Sequence, residues 1–204
     1  MPPSIEPVSL AEIKPYLRLD DITDATEDIY ISSLITVARE YCETKQNRAY
    51  ITQTWELALP CFPRFSSNAI DTGVKARVIE IPKGKLQSID NFSYKNASGI
   101  ITILTQEVDY VVSNKGILGR ISPPFGKVFP IVILYPLDPI IIKFTCGYGN
   151  NPTDVPARVR HSIMLLVSHW YENRIVINDL RGVIPEEIPF AVTSLLAQDK
   201  ISNV

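Results

Sequence analysis

Apolar residues recur along the chain in two different rhythms. Over residues 25–47, Ile31, Leu34, Ile35, Ala38, Tyr41 and Cys42 return every three or four positions, the spacing that keeps side chains on one face of an α-helix. Asp24 precedes this run and Glu27 stands three positions on, a helix start signal. A shorter helix is predicted after Ser9, with Glu12 as its capping-box partner and Leu10, Ile13 and Leu17 on one face. Pro15 shortens or bends it, because proline lacks the N–H that a helix interior needs. Toward the other end, Val159, Ile163, Leu166, Val167 and Trp170 follow at helical intervals after Pro156, which suits a first turn. Met164 and Leu165 widen that stripe until residues 163–167 are apolar all round, the mark of a helix buried on more than one side. In a chain this small, the second side is expected to be covered by another subunit. A last helix is predicted to start near Pro189, with Val192, Leu195 and Leu196 facing inward.

Between these flanks the rhythm changes to two. Trp55, Leu57 and Leu59 alternate with Thr54, Glu56 and Ala58, as in a half-buried strand. Further strands are predicted over residues 78–81, 89–94, 100–104, 110–112, 131–135 and 140–145, separated by turn residues such as Asn96-Ala-Ser-Gly99 and Ser113-Asn-Lys-Gly116. Eight of the nine glycines and eight of the sixteen prolines fall within residues 51–149, where they punctuate strands and turns. Charge divides in the same way. Residues 51–149 hold ten Lys/Arg and seven Asp/Glu, while the flanks hold ten and fifteen. The expected fold class is therefore α+β: a helical bundle core built from both chain ends, residues 1–50 and 150–204, with an inserted antiparallel β-rich subdomain over residues 51–149, arranged as a small sandwich or barrel.

At 204 residues, the chain can bury about 70% of its unfolded surface without staples. The net charge of −2 excludes bulk basicity as a drive for nucleic-acid binding, but not a protein that lets DNA slide past. The start of the chain has no basic stretch leading into an apolar run, so no signal peptide is expected. The uncharged run over residues 128–137 is broken by two prolines, and a span needs about 18 apolar residues, so no membrane partner is expected.

Candidate chemistry is sparse. Cys42, Cys61 and Cys146 are odd in number and lack C-x-x-C spacing, which makes neither a disulfide framework nor a zinc site. His161 and His169 lie eight residues apart on the third predicted helix, about 12 Å along its axis, too far for one metal. Asp20-Asp21 and Glu186-Glu187 are adjacent pairs whose side chains diverge; near helix starts they favour the dipole. Gly147 and Gly149 precede a helix, yet no lysine follows as a phosphate loop needs, and they read as a flexible turn. Arg158 and Arg160 oppose the helix dipole at the start of the third helix, so a carboxylate partner is expected for them, within the chain or across subunits. No nucleophile elbow, Walker loop or dinucleotide fingerprint is present. The residues alone thus describe a two-part α+β protein with no visible active site.

The order of segments nonetheless resembles a known family. Leu10-Ala-Glu-Ile-Lys-Pro-Tyr-Leu-Arg-Leu-Asp20 opens the chain, and a second helix ending Ala38-Arg-Glu-Tyr-Cys-Glu leads into Gln53-Thr-Trp55-Glu-Leu57. Phe144-Thr-Cys-Gly-Tyr-Gly149, Val155-Pro-Ala-Arg-Val-Arg-His-Ser-Ile163, His169-Trp-Tyr-Glu-Asn-Arg174 and Ile188-Pro-Phe-Ala-Val-Thr-Ser-Leu-Leu196 complete it. This resembles the head–tail connector (adaptor, or head-completion) proteins of long-tailed double-stranded DNA phages, prophages and gene-transfer particles. Pro15 and the apolar Ile175-Val-Ile after Arg174 depart from that pattern. The resemblance implies a structural virion protein of the neck, not an enzyme and without cofactor or metal. It implies assembly in the host cytoplasm into a ring of usually twelve copies beneath the portal protein. That ring extends the DNA channel without sequence-specific binding and meets a tail-proximal stopper or tail protein. Arg158, Arg160, Met164, Leu165, Trp170, Tyr171 and Arg174 are the candidate residues for the subunit or partner interface. Another neck or tail module, a stopper or tail terminator, is the first alternative; a small hydrolase with its cleft in the β part is the second.

Overall fold

The computed structural model describes residues 3–19, 24–63, 78–174 and 190–201. The chain divides into two compact units, one formed by residues 52–147 and the other by residues 3–51 together with those from 148 onward. The first is built on antiparallel sheets and the second on α-helices, an α+β fold.

In the helical unit, α1 (Leu10–Tyr16) opens on a complete capping box, with Ser9 Oγ accepting from the Glu12 N–H and the Glu12 carboxylate accepting from the Ser9 N–H. Pro15 confines it to seven residues. α2 (Ala25–Gln46) is capped by the Asp24 carboxylate and ends at Asn47 in the left-handed conformation, φ 53°. Its buried residues Ile31, Ile35, Ala38 and Cys42 form one stripe. A 3-10 turn (Pro152–Asp154) leads into α3 (Ala157–Glu172), which buries Val159, Ile163, Leu166 and Val167. α4 (Phe190–Ala197) buries Val192 and Leu196, and its expected start near Pro189 lies outside the described residues. These stripes meet in one core that also takes in Val8, Ile13, Tyr50 and Val155. Each fully buried aliphatic side chain there contributes about 1.5–3 kcal/mol. Gln46 ties the ends of the chain together: its Nε2 donates to the Leu196 carbonyl, its Oε1 accepts from the Tyr50 hydroxyl, and its backbone carbonyl accepts from the Ile201 N–H.

The β unit holds a four-stranded sheet in the order β1 (Gln53–Leu59), β7 (Ile140–Cys146), β3 (Leu86–Lys95), β4 (Ile101–Ile103). A second sheet runs β2 (Ile79–Ile81), β6 (Gly119–Ser122), β5 (Val111–Ser113). All pairings are antiparallel. Phe92 on β3 is fully buried among Phe62, Tyr110 and Phe129, with ring centroids 5.1–6.2 Å away. Trp55 is exposed on the edge strand β1 rather than buried, and its ring lies under the Lys83 ammonium at 4.8 Å.

Two features of the β unit differ from the sequence reading. β6 was not anticipated, because Gly119-Arg-Ile-Ser122 offers a single large apolar residue and opens on glycine. The strand expected over residues 131–135 is reduced to one bridge, Leu134 opposite Asn96. Pro130 and Pro136 bound that segment, and proline removes a ladder donor at each end. Residues 131–135 stay extended, with Ile131 and Ile133 81–83% exposed.

Candidate functional site

α3 carries six of the seven residues that the sequence marks as interface candidates, and the seventh, Arg174, follows its end. The three arginines are engaged within the chain. Arg158 pairs with Asp199, while its Nε is buried without a partner among the described residues. Arg160 pairs with Glu12 and donates from Nε to the Pro7 carbonyl at 3.0 Å. The Glu12 carboxyl is held below its ordinary range, first by the Ser9 N–H and then by the Arg160 guanidinium. Arg174 pairs with Glu27 and stacks on two rings, 4.7 Å from the Tyr30 centroid and 4.5 Å from that of Tyr171. The Tyr171 hydroxyl and then Arg174 lower the Glu27 carboxyl, and the same Glu27 contact raises the tyrosine. This cluster fastens the end of α3 to the start of α2.

The apolar candidates are divided between inside and outside. Met164, Leu165, Trp170 and Tyr171 are half-buried and pack against the core of their own helical unit. Trp170 stands edge-on to Tyr41 at 6.2 Å. α3 therefore keeps a partly accessible apolar side, with less of it free than the all-round apolar pattern implies. Among the described residues of the helical unit, the apolar side chains most open to water are Ile29 on α2 and Phe190 on α4.

The other sequence features resolve individually. His161 is exposed, with its ring edge-on to Tyr16 at 6.3 Å. Asp20-Asp21 and Glu186-Glu187 lie outside the described residues, as does the Ile175-Val-Ile segment. At the glycine turn, the Asp154 carboxylate accepts from the Asn151 N–H at 2.9 Å and occupies the space beside Gly149. An acidic group thus holds the place a phosphate would need. Burial pushes the Cys42 thiol up to about 12, so it stays protonated and inert at neutral pH. A cavity of about 210 Å³ between α2 and α4 is lined by Tyr41, Lys45, Val192, Leu196 and Lys200 among others, with neither histidine nor carboxylate. Among the described residues, no three His, Cys, Asp or Glu side chains are grouped to hold a metal, and no helix is long and apolar enough to cross a membrane.

What sequence reasoning missed is on the β unit. Ile101 and Ile103 on β4 are each 66% exposed, and residues 131–135 add two more open isoleucines. The signal was present in the uncharged runs Ile100-Ile-Thr-Ile-Leu104 and Ile131-Val-Ile-Leu-Tyr135. Both read as strands, and an apolar pattern does not tell whether a strand's side chains face a core or an interface.

The fold of this chain is found elsewhere. No protein-family model and no curated protein matches the chain. Among solved structures, it is similar to a chain from the neck of an empty gene transfer agent (GTA) particle computed with C6 symmetry, with a TM-score of 0.72 and 20% identity over 97% of this chain and 91% of that one. A chain from the virion of the native gene transfer agent particle gives 0.70, with the same identity and coverage. One from the neck of the native particle computed with C12 symmetry gives 0.65, at 19% identity over 96% and 89%. At such identities the likeness establishes a shared fold.

Proposed function

We propose that the chain is a structural neck protein of a phage-like particle: a head–tail connector whose copies form a ring beneath the portal protein, extend the DNA channel and meet a stopper or tail protein. The observation that carries this reading is the end-to-end likeness to chains from particle necks, which spans both the helical and the β unit. The C6 and C12 symmetries of those neck structures support a ring of this chain too, with twelve copies as the proposed number. The net charge of −2 suits a conduit that must release DNA. Four helices from the two flanks favour a connector over a mostly β stopper or terminator. The half-buried side of α3, with Met164, Leu165 and Tyr171, is proposed as the helical unit's share of the subunit contact. The reading assigns no catalytic step and no cofactor.

The test is genetic and structural together. A producer strain lacking the chain is expected to yield DNA-filled heads and separate tails, with joining restored by the wild-type chain. Electron microscopy of complete particles should then show its density as a ring between portal and tail. Normal tailed particles from the deletion strain would overturn the proposal.

A further inference from the structure

The four-stranded sheet of the β unit has one face inside and one outside. Phe92 and Tyr94 of β3 point to the aromatic core, since both stand against Phe62. Ser93 and Lys95, one position off, therefore lie on the opposite face, where Ser93 is covered to 7% exposure and Lys95 is half-buried. Ile103 lies opposite Ser93 and Ile101 opposite Lys95, and directly opposed residues share a face. On the other side of β3, the Tyr135 N–H donates to the Lys95 carbonyl at 3.0 Å and the Ala97 N–H to the Ile133 carbonyl at 2.9 Å. The Lys95 ammonium lies 3.9 Å from the centre of the Tyr135 ring, so Tyr135 and Ile133 are on the outer face as well. Two flanking strands thus carry solvent-facing isoleucines on one side of the sheet.

Among the described residues, their backbone edges are open too. β4 ends the sheet order. Thr102 pairs with Tyr94, the Ile100 carbonyl accepts from the Asn96 N–H, and the Leu104 N–H donates to the Phe92 carbonyl. By the alternation of an antiparallel ladder, the N–H and C=O groups of Ile101 and Ile103 point away from β3. The same alternation turns those of Leu134 outward on the opposite side, and among the described residues no backbone hydrogen bond reaches them. Natural sheets blunt such edges with lysine, proline or a bulge. Here, residues 100–104 and 131–135 contain no charge and no proline. Such edges, uncharged along their length and with apolar side chains beside them, are built to be covered; Pro130 and Pro136 close off only the two ends of the second.

We propose that the occupant is a second copy of this chain, which adds its 131–135 segment alongside β4 of its neighbour. The two edges lie on opposite sides of β3, so a copy that donates one still offers the other. The contact is therefore heterologous, and such contacts close into rings. β4 and residues 131–135 both run antiparallel to β3, hence parallel to each other within one copy, and because neighbours in a twelve-membered ring are turned by only about 30° the intersubunit pair is parallel too. Uncharged meets uncharged across the junction, and the exposed isoleucines of both strands leave water together. This inference rests on the ring reading and names the β unit's part in it.

The test uses rings of the full chain isolated from assembled particles. In a Cys61→Ser background, which removes the exposed thiol while Cys42 and Cys146 stay buried, Ile101→Cys and Ile133→Cys are combined and treated with a short bismaleimide. A covalent ladder rising to the full ring is expected from the double variant and none from either single one. A second variant, Ile101→Lys with Ile103→Lys, alters exposed side chains only; its monomer should melt as the wild type does, while ring incorporation falls at least tenfold. Intact rings without a ladder, or normal rings from the lysine variant, would overturn this contact and leave the ring reading standing. Dimers from Ile101→Cys alone would show a two-fold pairing instead, and a link to another neck protein would show a different occupant; both overturn it. Particles whose neck holds no ring of this chain would remove the ring reading and this contact together.

Discussion

Arg39 keeps only 4% of its side chain in contact with water, yet it carries a full charge. It is tolerated because its Nε bonds Glu6 at 2.8 Å, one terminal nitrogen bonds Glu43 at 2.7 Å and the other reaches Glu40 at 3.3 Å. Glu43 also accepts from the Tyr50 N–H, so the network joins α2 to the chain that follows it, and Glu6 brings in the residues before α1. Removing the cation leaves the half-buried Glu6 and Glu43 carboxylates without their counter-charge and opens a gap where the guanidinium was buried, which costs more than the pair contributes. Arg39→Ala is expected to lower unfolding free energy by about 3–5 kcal/mol, measured by urea denaturation. Glu40→Ala, at a carboxylate that is largely exposed, should change it by less than about 1 kcal/mol. Of this network only the Arg39–Glu43 spacing of four on one helix is legible in the sequence. Sequence spacing shows what can share a helix face, whereas this network depends on a segment about thirty residues away. The partners of Arg158 and Arg160 show the same limit: the need for a carboxylate followed from the helix dipole, but its source in Asp199 and Glu12 depends on tertiary placement.

At the scale of elements, legibility followed the strength of the periodic signal. α2 and α3 each repeat their stripe over several turns, and the pattern selects the buried Ile31, Ile35, Ala38 and Cys42 on α2 and Val159, Ile163, Leu166 and Val167 on α3, while the buried Arg39, Gln46 and Ser162 lie outside it. Three- and four-residue strands give no such repetition. β6 was missed for this reason, although Gly119 within it has a definite packing role. A Cβ at that position would lie 2.6 Å from the Leu86 Cβ and 2.4 Å from one of its methyls, so the side chain cannot simply swing aside. Gly119→Ala is therefore expected to cost about 1–3 kcal/mol through overpacking. Because the strain is one contact, Leu86→Ala in the same chain should recover part of it, a positive coupling read from a double-mutant cycle in chemical denaturation. Additive losses would place the cost of Gly119→Ala in something other than the Leu86 contact. The 131–135 segment shows the converse error. Its apolar pattern is strong, but the pattern reports a preference for leaving water, and a partner's surface meets that preference as well as a core does.

At the scale of the molecule, each unit has a core of its own, aliphatic in the helical unit and aromatic in the β unit. The chain passes between them twice, near residues 51 and 148. A connector reading gives this division a use, since the helical unit and the β unit can each contribute different surfaces to one ring. The division has a thermodynamic consequence that does not depend on assembly. Phe92 is fully buried at the centre of the aromatic cluster, and Phe92→Ala should cost about 3–5 kcal/mol, a large share of the 5–15 kcal/mol that stabilises a typical domain. If the two units hold their structure separately, that loss appears in one of them. Hydrogen exchange should speed up for the amides of β3, β6 and β7, while those of Ile35 on α2 and Leu166 on α3 keep their wild-type protection. Equal losses in both units would mean that the chain unfolds as one cooperative body, and the β unit could not then be treated as an insertion with a core of its own.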